Sequence, residues 1–406
     1  MAEIVAAPRP IMTAGRVSFF GALLIAVGPI SMTLYSPAMT SIAEALDTTE
    51  AMVKLTMTSY FAGFAFAQLL AGPASDALGR KPVTCGFLAL FLLGTVIAIM
   101  APGVELLIFG RLLQGLGAAA GAVISRAIIR DVFEGEESSR IMNLIGIILA
   151  VGPAFAPTLG AIILTYLGWQ WTFVFMFAFG ALILAVTIVG LRETAPLDRP
   201  RFRLSPLMRS YGQVLRNRSF LASTAVIAGA VGIFYAQSTL LPFVLMGRVG
   251  LNAGQFGMGM LLQWGGYFAG ALVVRWLMDR RVNAMALVVP GLVIVGIACV
   301  FLLNLLFLQP SYLSVMLPVA LLTFGNAFVG PAMTTATLAP FPKLAGTAAS
   351  LMGFLQMTTG LVASTLASLV PDPVAAFVGT TLGMCLLSSV AFVLYRLTGR
   401  GEEPAP

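Results

Sequence analysis

Apolar stretches long enough to cross a lipid bilayer follow one another along almost the whole of this chain. A helix needs about 20 mainly apolar residues to cross roughly 30 Å of hydrocarbon, with its backbone hydrogen-bonded internally. Of the 406 residues, 59% are hydrophobic and only 10% are charged, whereas soluble domains average about 25% charged residues. We therefore predict an all-α integral membrane protein with twelve transmembrane helices. The predicted crossings are 17–38, 52–74, 82–101, 104–128, 140–167, 170–191, 218–245, 254–277, 284–308, 311–336, 345–369 and 373–397.

Lysine and arginine residues are distributed unequally between the two sides of the predicted membrane. If the N-terminus is cytoplasmic, alternate connections on that side carry nearly all the basic residues, and the opposite side keeps Lys54 and Arg248. Such an imbalance over short loops is what the positive-inside rule predicts. We therefore predict that both termini are cytoplasmic. The net charge of +7 then reflects topology in the lipid bilayer, not binding to nucleic acid.

The longest polar interruption divides the chain into two halves of six predicted crossings each. Within it, apolar residues recur at helical spacing over 207–215, which fits a helix lying on an anionic membrane surface; a solvated linker is an equal alternative. Because one chain would contain both halves of a pathway, we expect a monomer. The predicted domains are an N-terminal tail at 1–16, a first bundle at 17–191, a linker at 192–217, a second bundle at 218–397 and a C-terminal tail at 398–406.

A loop with a distinctive pattern is predicted between the second and third crossings. It reads Gly72-Pro-Ala-Ser-Asp76-Ala-Leu-Gly79-Arg80-Lys81-Pro. Glycine permits close helix approach and a turn, and an acid here can pair with an arginine or a helix N-terminus. A weaker counterpart, which keeps Asp279, follows the eighth crossing. We expect the segments 72–82 and 275–281 to latch the cytoplasmic side.

Arg111 is the most conspicuous charge within a predicted crossing. A lone arginine near the middle of a bilayer costs roughly 2.5–3.5 kcal/mol on insertion scales, so a partner or a watery cavity is expected. The alternative is an arginine that extends to the membrane interface. Gln114 follows on the same helical face, and Gly117, Gly121 and Ser125 form a stripe of small residues that would let another helix approach closely.

The fifth predicted crossing combines small residues with two prolines. Gly152, Ala156 and Gly160 recur every four residues, beside Pro153 and Pro157. This spacing predicts a kinked helix with a flat face suited to close interhelical contact. Tight packing without a role in transport is the alternative.

Together these motifs resemble those of the major facilitator superfamily. The segment from Gly72 to Lys81 matches the pattern G-x-x-x-D-x-x-G-R-[KR], and the segment that begins at Arg111 resembles R-x-x-Q-G, associated with proton coupling in the drug:proton antiporters. The run 146–160 resembles a fifth-helix signature of exporters, and shorter segments such as Tyr35-Ser-Pro-Ala resemble the Bcr/CflA group of bacterial drug exporters. The resemblance implies two pseudo-symmetric six-helix bundles, alternating access, a bacterial inner membrane location and multidrug efflux.

The first crossing departs from that group, because Thr33 stands where an acid is usual. No carboxylate lies in the middle of any predicted crossing, although proton antiporters commonly use a buried one. Two hypotheses stay open. Protons couple through an acid at a helix end, with Asp131 and Glu105 as candidates, or Arg111 serves an organic anion or metabolite without conventional proton antiport. A non-transporting receptor or scaffold of the same fold is a third possibility.

The polar and aromatic residues of the crossings predict a central cavity that is poor in fixed charge. Such a cavity suits small neutral, amphipathic or anionic molecules. The chain has no histidine, and its three cysteines lie far apart in sequence, so neither an enzyme nor a metal or other cofactor is expected. The predicted lining includes Thr33, Tyr35, Tyr60, Tyr235, Gln237, Gln263, Trp264, Asn326 and Gln356.

Overall fold

The structure is helical throughout the residues that it describes. A computed structural model describes residues 12–133, 135–194, 204–341 and 344–399, so parts of the predicted tails and linker lie outside the described residues. The helices before the linker are α1 (Ala14–Tyr35), α2 (Met39–Ala45), α3 (Glu50–Leu78), α4 (Arg80–Ile99), α5 (Val104–Val132), α6 (Gly135–Leu167) and α7 (Gln170–Gly190). Next come α8 (Leu204–Leu215), α9 (Arg218–Pro242), α10 (Ala253–Asp279), α11 (Val288–Leu303), α12 (Tyr312–Leu338), α13 (Ala345–Leu369) and α14 (Pro373–Gly399).

Ten of the described helical segments are long and apolar enough to cross a bilayer. The other two long helices are α3 and α6, with 29 and 33 residues. At 1.5 Å per residue each is about 40–50 Å long, which exceeds the thickness of the hydrocarbon. The described part of the chain therefore contains a long helix at each of the twelve predicted crossings.

The long helices pack as two groups that meet along two seams. Before the linker, α3 and α4 pack on α5, and α1 packs on α5 and α6. After the linker, α9 packs on α13 and α14, while α12 packs on α10 and α11. The groups meet where α3 contacts α13 and where α6 contacts α10. The residue boundaries predicted for the domains stay predictions.

The predicted stripe of small residues on α5 lies where neighbouring helices come closest. A Cβ atom on Gly117 would lie 2.6 Å from the Cα atom of Phe91 on α4, and one on Gly121 would lie 2.7 Å from the carbonyl carbon of Leu24 on α1. One turn later, the hydroxyl of Ser125 donates to the carbonyl oxygen of Gly21 at 3.1 Å. Larger residues on this stripe would force α1 and α4 away from α5.

The segment predicted as a loop from 72 to 82 is mostly helical, so that prediction was wrong in its extent. Helix α3 continues to Leu78, and α4 begins at Arg80. Gly79 alone breaks the helix, with φ of 104° and ψ of 151°, a conformation that favours glycine. Asp76 and Arg80 face each other across this break as an ion pair, which explains why polar residues here extend a helix.

The helix predicted within the linker is present as α8, and it packs on the bundle. Val214 is fully buried, whereas Arg209 lies exposed. The hydroxyl of Tyr211 donates to the carbonyl oxygen of Leu69 on α3 at 2.8 Å. Burial raises the pKa of Tyr211 to about 12, so this hydroxyl stays protonated and remains a donor at physiological pH. Helix α8 is thereby attached to the end of α3 that carries Gly72 to Lys81, called the motif end below.

Candidate functional site

Arg111 is fully buried inside the first group of helices, between two aromatic rings. Its guanidinium carbon lies 4.4 Å from the centroid of Tyr35, on α1, and 4.3 Å from that of Tyr60, on α3. The exposed fraction of Arg111 is 0%, so the side chain does not extend to the interface. A buried guanidinium held between two ring faces is stabilised by the quadrupoles of the rings. The predicted partner exists, and it is a pair of tyrosines.

Polar contacts complete the surroundings of Arg111. One terminal nitrogen donates to Oε1 of Gln114 at 2.8 Å, and Gln114 in turn donates from Nε2 to the hydroxyl of Thr95 at 2.8 Å. The second terminal nitrogen lies 3.4 Å from the sulfur of Met57. Nε of Arg111 has no hydrogen-bond partner. Among the described residues, no carboxylate forms an ion pair with Arg111.

The hydroxyl groups of both tyrosines are anchored, which fixes the two rings. Tyr35 shares a hydrogen bond of 2.7 Å with Thr56. Tyr60 donates to the carbonyl oxygen of Gly28 at 2.9 Å and lies 2.8 Å from the hydroxyl of Ser31. Since α1 and α3 both supply rings and anchors, the cage around Arg111 connects α1, α3 and α5. We call Arg111, Tyr35 and Tyr60 the arginine cage.

A cavity of about 310 Å³ lies between the two groups of helices. Four of the predicted residues line it, namely Thr33, Tyr235, Gln263 and Trp264, and no charged residue does within the part of the chain that the structure describes. The rings of Phe234 and Trp264 stack at 5.6 Å, so one wall is a continuous aromatic surface. The remaining lining consists of Pro29, Met32, Ser36, Pro153, Pro157, Val231, Ser238, Met260 and Tyr267.

The other predicted cavity residues lie elsewhere. Tyr35 and Tyr60 belong to the arginine cage and do not line the cavity. Gln237 lies behind it and accepts a hydrogen bond of 2.5 Å from Gln263. Asn326 donates to the carbonyl oxygen of Ala230 at 3.0 Å, which joins α12 to α9. Gln356 is half-buried on α13 outside the lining.

Some lining residues were missed by the sequence analysis. Tyr267 lies three residues after Trp264 and four after Gln263, so helical spacing on α10 places it on the same face. Ser36 and Ser238 face each other across the two groups, with the Ser36 hydroxyl donating to the Ser238 carbonyl oxygen at 3.0 Å. Nothing in the sequence indicates that pairing, because the residues are separated by 202 positions.

The predicted motif on α6 separates into two faces. Pro153 and Pro157 line the cavity. Gly160 lies against α1, where a Cβ atom would be 3.1 Å from the carbonyl carbon of Leu34, and one on Gly152 would be 3.3 Å from the side chain of Ile30. Ala156 is buried between these glycines. On the other side of α6, the hydroxyl of Thr158 donates to the carbonyl oxygen of Gly257 on α10 at 2.9 Å.

The residues of the Gly72 motif form an ion-pair network at the motif end. Nε of Arg80 donates to Asp131 at 2.8 Å, and Arg80 also pairs with Asp76. The carboxylate of Glu193 accepts hydrogen bonds from the backbone N–H groups of Arg80 at 2.8 Å and Lys81 at 3.3 Å. Glu193 thus caps the first turn of α4, where a carboxylate is electrostatically favoured. The sequence analysis did not assign Glu193 this position.

Three further predicted residues, Asp131, Glu105 and Asp279, lie at the ends of helices. Asp131 contacts Arg80 at the motif end, not Arg111. Glu105 is exposed in the first turn of α5. Asp279 is exposed at the end of α10 and forms no ion pair with a described residue of the Gly72 motif. The structure therefore brings neither Glu105 nor Asp131 to the arginine cage.

At the end opposite the motif end, the two groups of helices are joined by polar contacts. The hydroxyl of Thr58 on α3 donates to the hydroxyl of Ser364 on α13 at 2.8 Å, and Ser364 lies 3.3 Å from the carbonyl oxygen of Lys54. Lys54, which was predicted to lie on the outer side of the membrane, is buried at this end, with an exposed fraction of 1%. Its ammonium lies 3.5 Å from Glu50 and 5.0 Å from the ring centroid of Phe243.

Comparison with known proteins identifies the family. The sequence profile described as Major Facilitator Superfamily matches residues 21–365. The chain belongs to this superfamily. As the superfamily consists of transporters, the protein is a multi-pass membrane transporter and not an enzyme.

Relatives within the superfamily include named multidrug resistance proteins. Multidrug resistance protein D of Escherichia coli (strain K12) is 30% identical over 391 residues, which cover 94% of this chain and 96% of that protein. Multidrug resistance protein MdtL of Escherichia coli O139:H28 is 28% identical over 380 residues, covering 93% and 94%.

A solved transporter structure has a similar fold. A bacterial homolog of the human lysosomal transporter Spinster, in an inward-facing and unoccupied conformation, aligns with a TM-score of 0.71 at 16% identity. The alignment covers 97% of this chain and 99% of that one. The predicted twelve-helix fold of this superfamily is thereby confirmed.

Proposed function

We propose that this transporter exports small drug-like molecules across the bacterial inner membrane by alternating access. The observation that carries the proposal is the cavity between the two groups of helices, which has an aromatic wall and no charged lining residue. A volume of about 310 Å³ lies at the lower end of the range for sites that bind small molecules. The relatives named multidrug resistance proteins favour the same class of substrate.

The lining favours neutral or amphipathic substrates. Trp264, Phe234 and Tyr267 offer flat apolar surfaces, and Ser36, Ser238 and Gln263 offer hydrogen bonds. A multivalent cation would have no carboxylate to replace its hydration shell there. We propose that alternating access exposes this cavity in turn at the motif end and at the opposite end.

The orientation is part of the proposal. The basic residues of the motif end, among them Arg80, Lys81 and Arg130, favour a cytoplasmic position for it. Both termini are then cytoplasmic. Export is movement from the motif end to the end where Thr58 contacts Ser364.

We further propose that export is coupled to protons. The arginine cage contains no carboxylate, so a proton would exchange at a helix-end acid, for which Asp131 is the better placed candidate because it contacts the Gly72 motif. The alternative is transport of an organic anion that uses Arg111. In the described conformation Arg111 is fully buried behind the tyrosines, so this alternative requires the cage to open during the cycle.

A resistance assay tests the proposed substrate class. The protein is expressed in an efflux-deficient bacterium that is challenged with a panel of neutral, monocationic, dicationic and anionic antibiotics and dyes. We expect lower susceptibility to neutral and amphipathic compounds, and loss of that protection with Trp264→Ala at unchanged protein level. The matched control is Trp276→Ala, because Trp276 is exposed on the same helix outside the cavity. No change across the panel would favour a receptor or scaffold, and selective export of dications would contradict the proposal.

Proton coupling needs a separate measurement. Uptake of an identified substrate into inverted vesicles is followed with and without an imposed pH gradient. We expect uptake to rise with an acidic vesicle interior and to fall when an uncoupler is added. Uptake that is indifferent to both would contradict coupling while leaving the substrate class intact.

A further inference from the structure

A second and larger cavity lies at the motif end, away from the aromatic cavity. This cleft has a volume of about 680 Å³ and lies between α3, α5, α8, α12 and α13. Its apolar lining includes Leu207, Leu338 and Met352. Its polar lining is strongly basic and includes Arg80, Arg126 and Arg130, with Asp76 as the single acid.

Two of these arginines have no polar partner among the described residues. Arg126 and Arg130 are one turn apart on α5, both are exposed, and neither forms an ion pair or side-chain hydrogen bond with a described residue. Arg80 differs, because it is buried and bound to Asp76, Asp131 and Ser75. Asp76 is thus already paired with Arg80, and no other acid among the described residues lines the cleft beside Arg126 and Arg130.

The first turn of α13 adds positive potential to the same space. Arg130 lies beside it, since a Cβ atom on Gly346 would be 3.2 Å from a terminal nitrogen of Arg130. The residue before the helix, Leu344, provides no side-chain cap. The backbone N–H groups of a helix N-terminus carry roughly half a positive charge and attract anions. The guanidinium of Arg130 beside such a terminus repels it unless an anion lies between them.

A serine side chain of α13 adds a hydroxyl group to this cleft. Ser350, one turn into α13, lines the cleft and has an exposed fraction of 7%, yet its side chain forms no hydrogen bond with a described residue. Because Ser350 lines the cleft, its hydroxyl can donate a hydrogen bond to a ligand there. A ligand with acceptor oxygens would satisfy Ser350, Arg126 and Arg130 together.

We infer that this cleft binds one anionic group carried on an apolar body, such as a phosphate or carboxylate amphiphile. The oxygens would contact Arg126 and Arg130 from α5 and Ser350 with the first turn of α13, and the apolar part would lie along Leu207, Leu338 and Met352. Because α5 and α13 belong to different groups of helices, the anion would join the groups at the motif end. Neither the proposed substrate class nor proton coupling is needed for this inference.

The same chemistry is available from an anionic phospholipid headgroup or from a soluble organic anion, and two arms of one experiment distinguish them. In the first arm, native mass spectrometry of the full chain in detergent compares retention of dioleoylphosphatidylglycerol with that of dioleoylphosphatidylcholine. In the second arm, microscale thermophoresis measures binding of hexyl phosphate. Both arms use the wild type, the double variant Arg126→Gln/Arg130→Gln, and the control Arg209→Gln/Arg216→Gln, which removes two exposed arginines of α8 that lie outside the lining.

We expect one anionic ligand to bind the wild type, and the Arg126/Arg130 variant to bind at least about tenfold more weakly, since it loses two charge-assisted hydrogen bonds. The control should bind as the wild type does. If phosphatidylglycerol is retained and hexyl phosphate does not bind, the cleft binds lipid. If hexyl phosphate binds, the cleft accepts soluble anions.

A third variant keeps the test decisive if the double variant does not fold. Ser350→Ala removes a hydroxyl without altering charge, and we expect it to weaken binding about threefold or more. Equal retention of both lipids together with no binding of hexyl phosphate would overturn the inference. Affinities within about twofold of the wild type in both cleft variants would overturn it as well.

Discussion

Arg111 shows how a charge is tolerated inside the membrane without an ion-pair partner. Two tyrosine rings enclose its guanidinium, while Gln114 and Met57 contact its two terminal nitrogens. The favourable terms are cation–π attraction and a charge-assisted hydrogen bond. Both depend on a planar group of fixed geometry, so the cage is specific for arginine.

Replacement of Arg111 by lysine should therefore be almost as damaging as its removal. A lysine ammonium is a strongly hydrated point charge that cannot lie flat between two rings and donate sideways at the same time. We expect Arg111→Lys to lower export at least about tenfold, equivalent to about 1.4 kcal/mol or more, at unchanged protein level. Dye efflux from cells measures this, with Arg209→Lys as the control. Wild-type efflux by Arg111→Lys would show that charge alone suffices.

The absence of an acid in the cavity should be reversible by one substitution. Thr33 lines the cavity, and its hydroxyl donates to the carbonyl oxygen of Pro29 at 2.8 Å. An aspartate there would attract cations, so we expect Thr33→Asp to raise efflux of a monocationic dye relative to a neutral one. Thr33→Asn, of equal size and no charge, is the control. An unchanged preference in Thr33→Asp would indicate that substrates do not contact this wall.

The chemistry of such residues can be predicted from the sequence, but the residues that contact them cannot. That Arg111 requires a partner follows from the energetic cost of a buried charge. That the partner is Tyr35 with Tyr60 does not, because α1 and α3 approach α5 only in the folded chain, and both tyrosines were assigned to the cavity. Asn326 was misassigned for the same reason: whether a polar side chain faces a cavity or the carbonyl oxygen of Ala230 depends on helix rotation.

At the scale of the helices, the length of each apolar stretch predicts a membrane crossing correctly, whereas polar residues do not predict correctly where a helix ends. All twelve long helices lie at predicted crossings. In contrast, the polar segment from Gly72 to Leu78 extends α3, because Asp76 pairs with Arg80 across Gly79. Lys54 has the character of a surface charge in sequence, yet it is buried where Phe243 and Ser364 of the second group cover it. Contacts between distant helices decide both cases.

The contact between α1 and α6 depends more on Gly160 than on Gly152. A Cβ atom on Gly160 would overlap the carbonyl oxygen of Leu34, which is rigid backbone, whereas one on Gly152 would meet only the flexible end of Ile30. We expect Gly160→Ala to destabilise the protein by about 1–3 kcal/mol through overpacking, and Gly152→Ala to have little effect. Thermal unfolding in detergent compares the two. Equal losses of stability in the two variants would contradict this account of the contact between α1 and α6.

At the scale of the whole molecule, the two groups of helices are arranged asymmetrically about the membrane. One end is joined by the hydrogen bond of Thr58 with Ser364, and the other contains the cleft of about 680 Å³. The aromatic cavity lies between the groups, on the seam where α6 meets α10. A transporter that alternates must break the contacts at the joined end in order to release its substrate there.

A disulfide between these two groups would test alternating access directly. The hydroxyl oxygens of Thr58 and Ser364 are 2.8 Å apart, so cysteines at both positions should form a disulfide with little movement. The background would carry alanine at Cys85, Cys299 and Cys385 to prevent other pairings. Each single cysteine variant serves as a control for the substitution itself.

Substrate transport by the Thr58→Cys/Ser364→Cys variant in inverted vesicles, before and after oxidation, is therefore the most direct measurement. The account predicts that oxidation abolishes transport, that a reductant restores it, and that neither treatment affects the single variants. Transport at the wild-type rate in fully oxidised protein, with the disulfide verified by mass spectrometry, would contradict it.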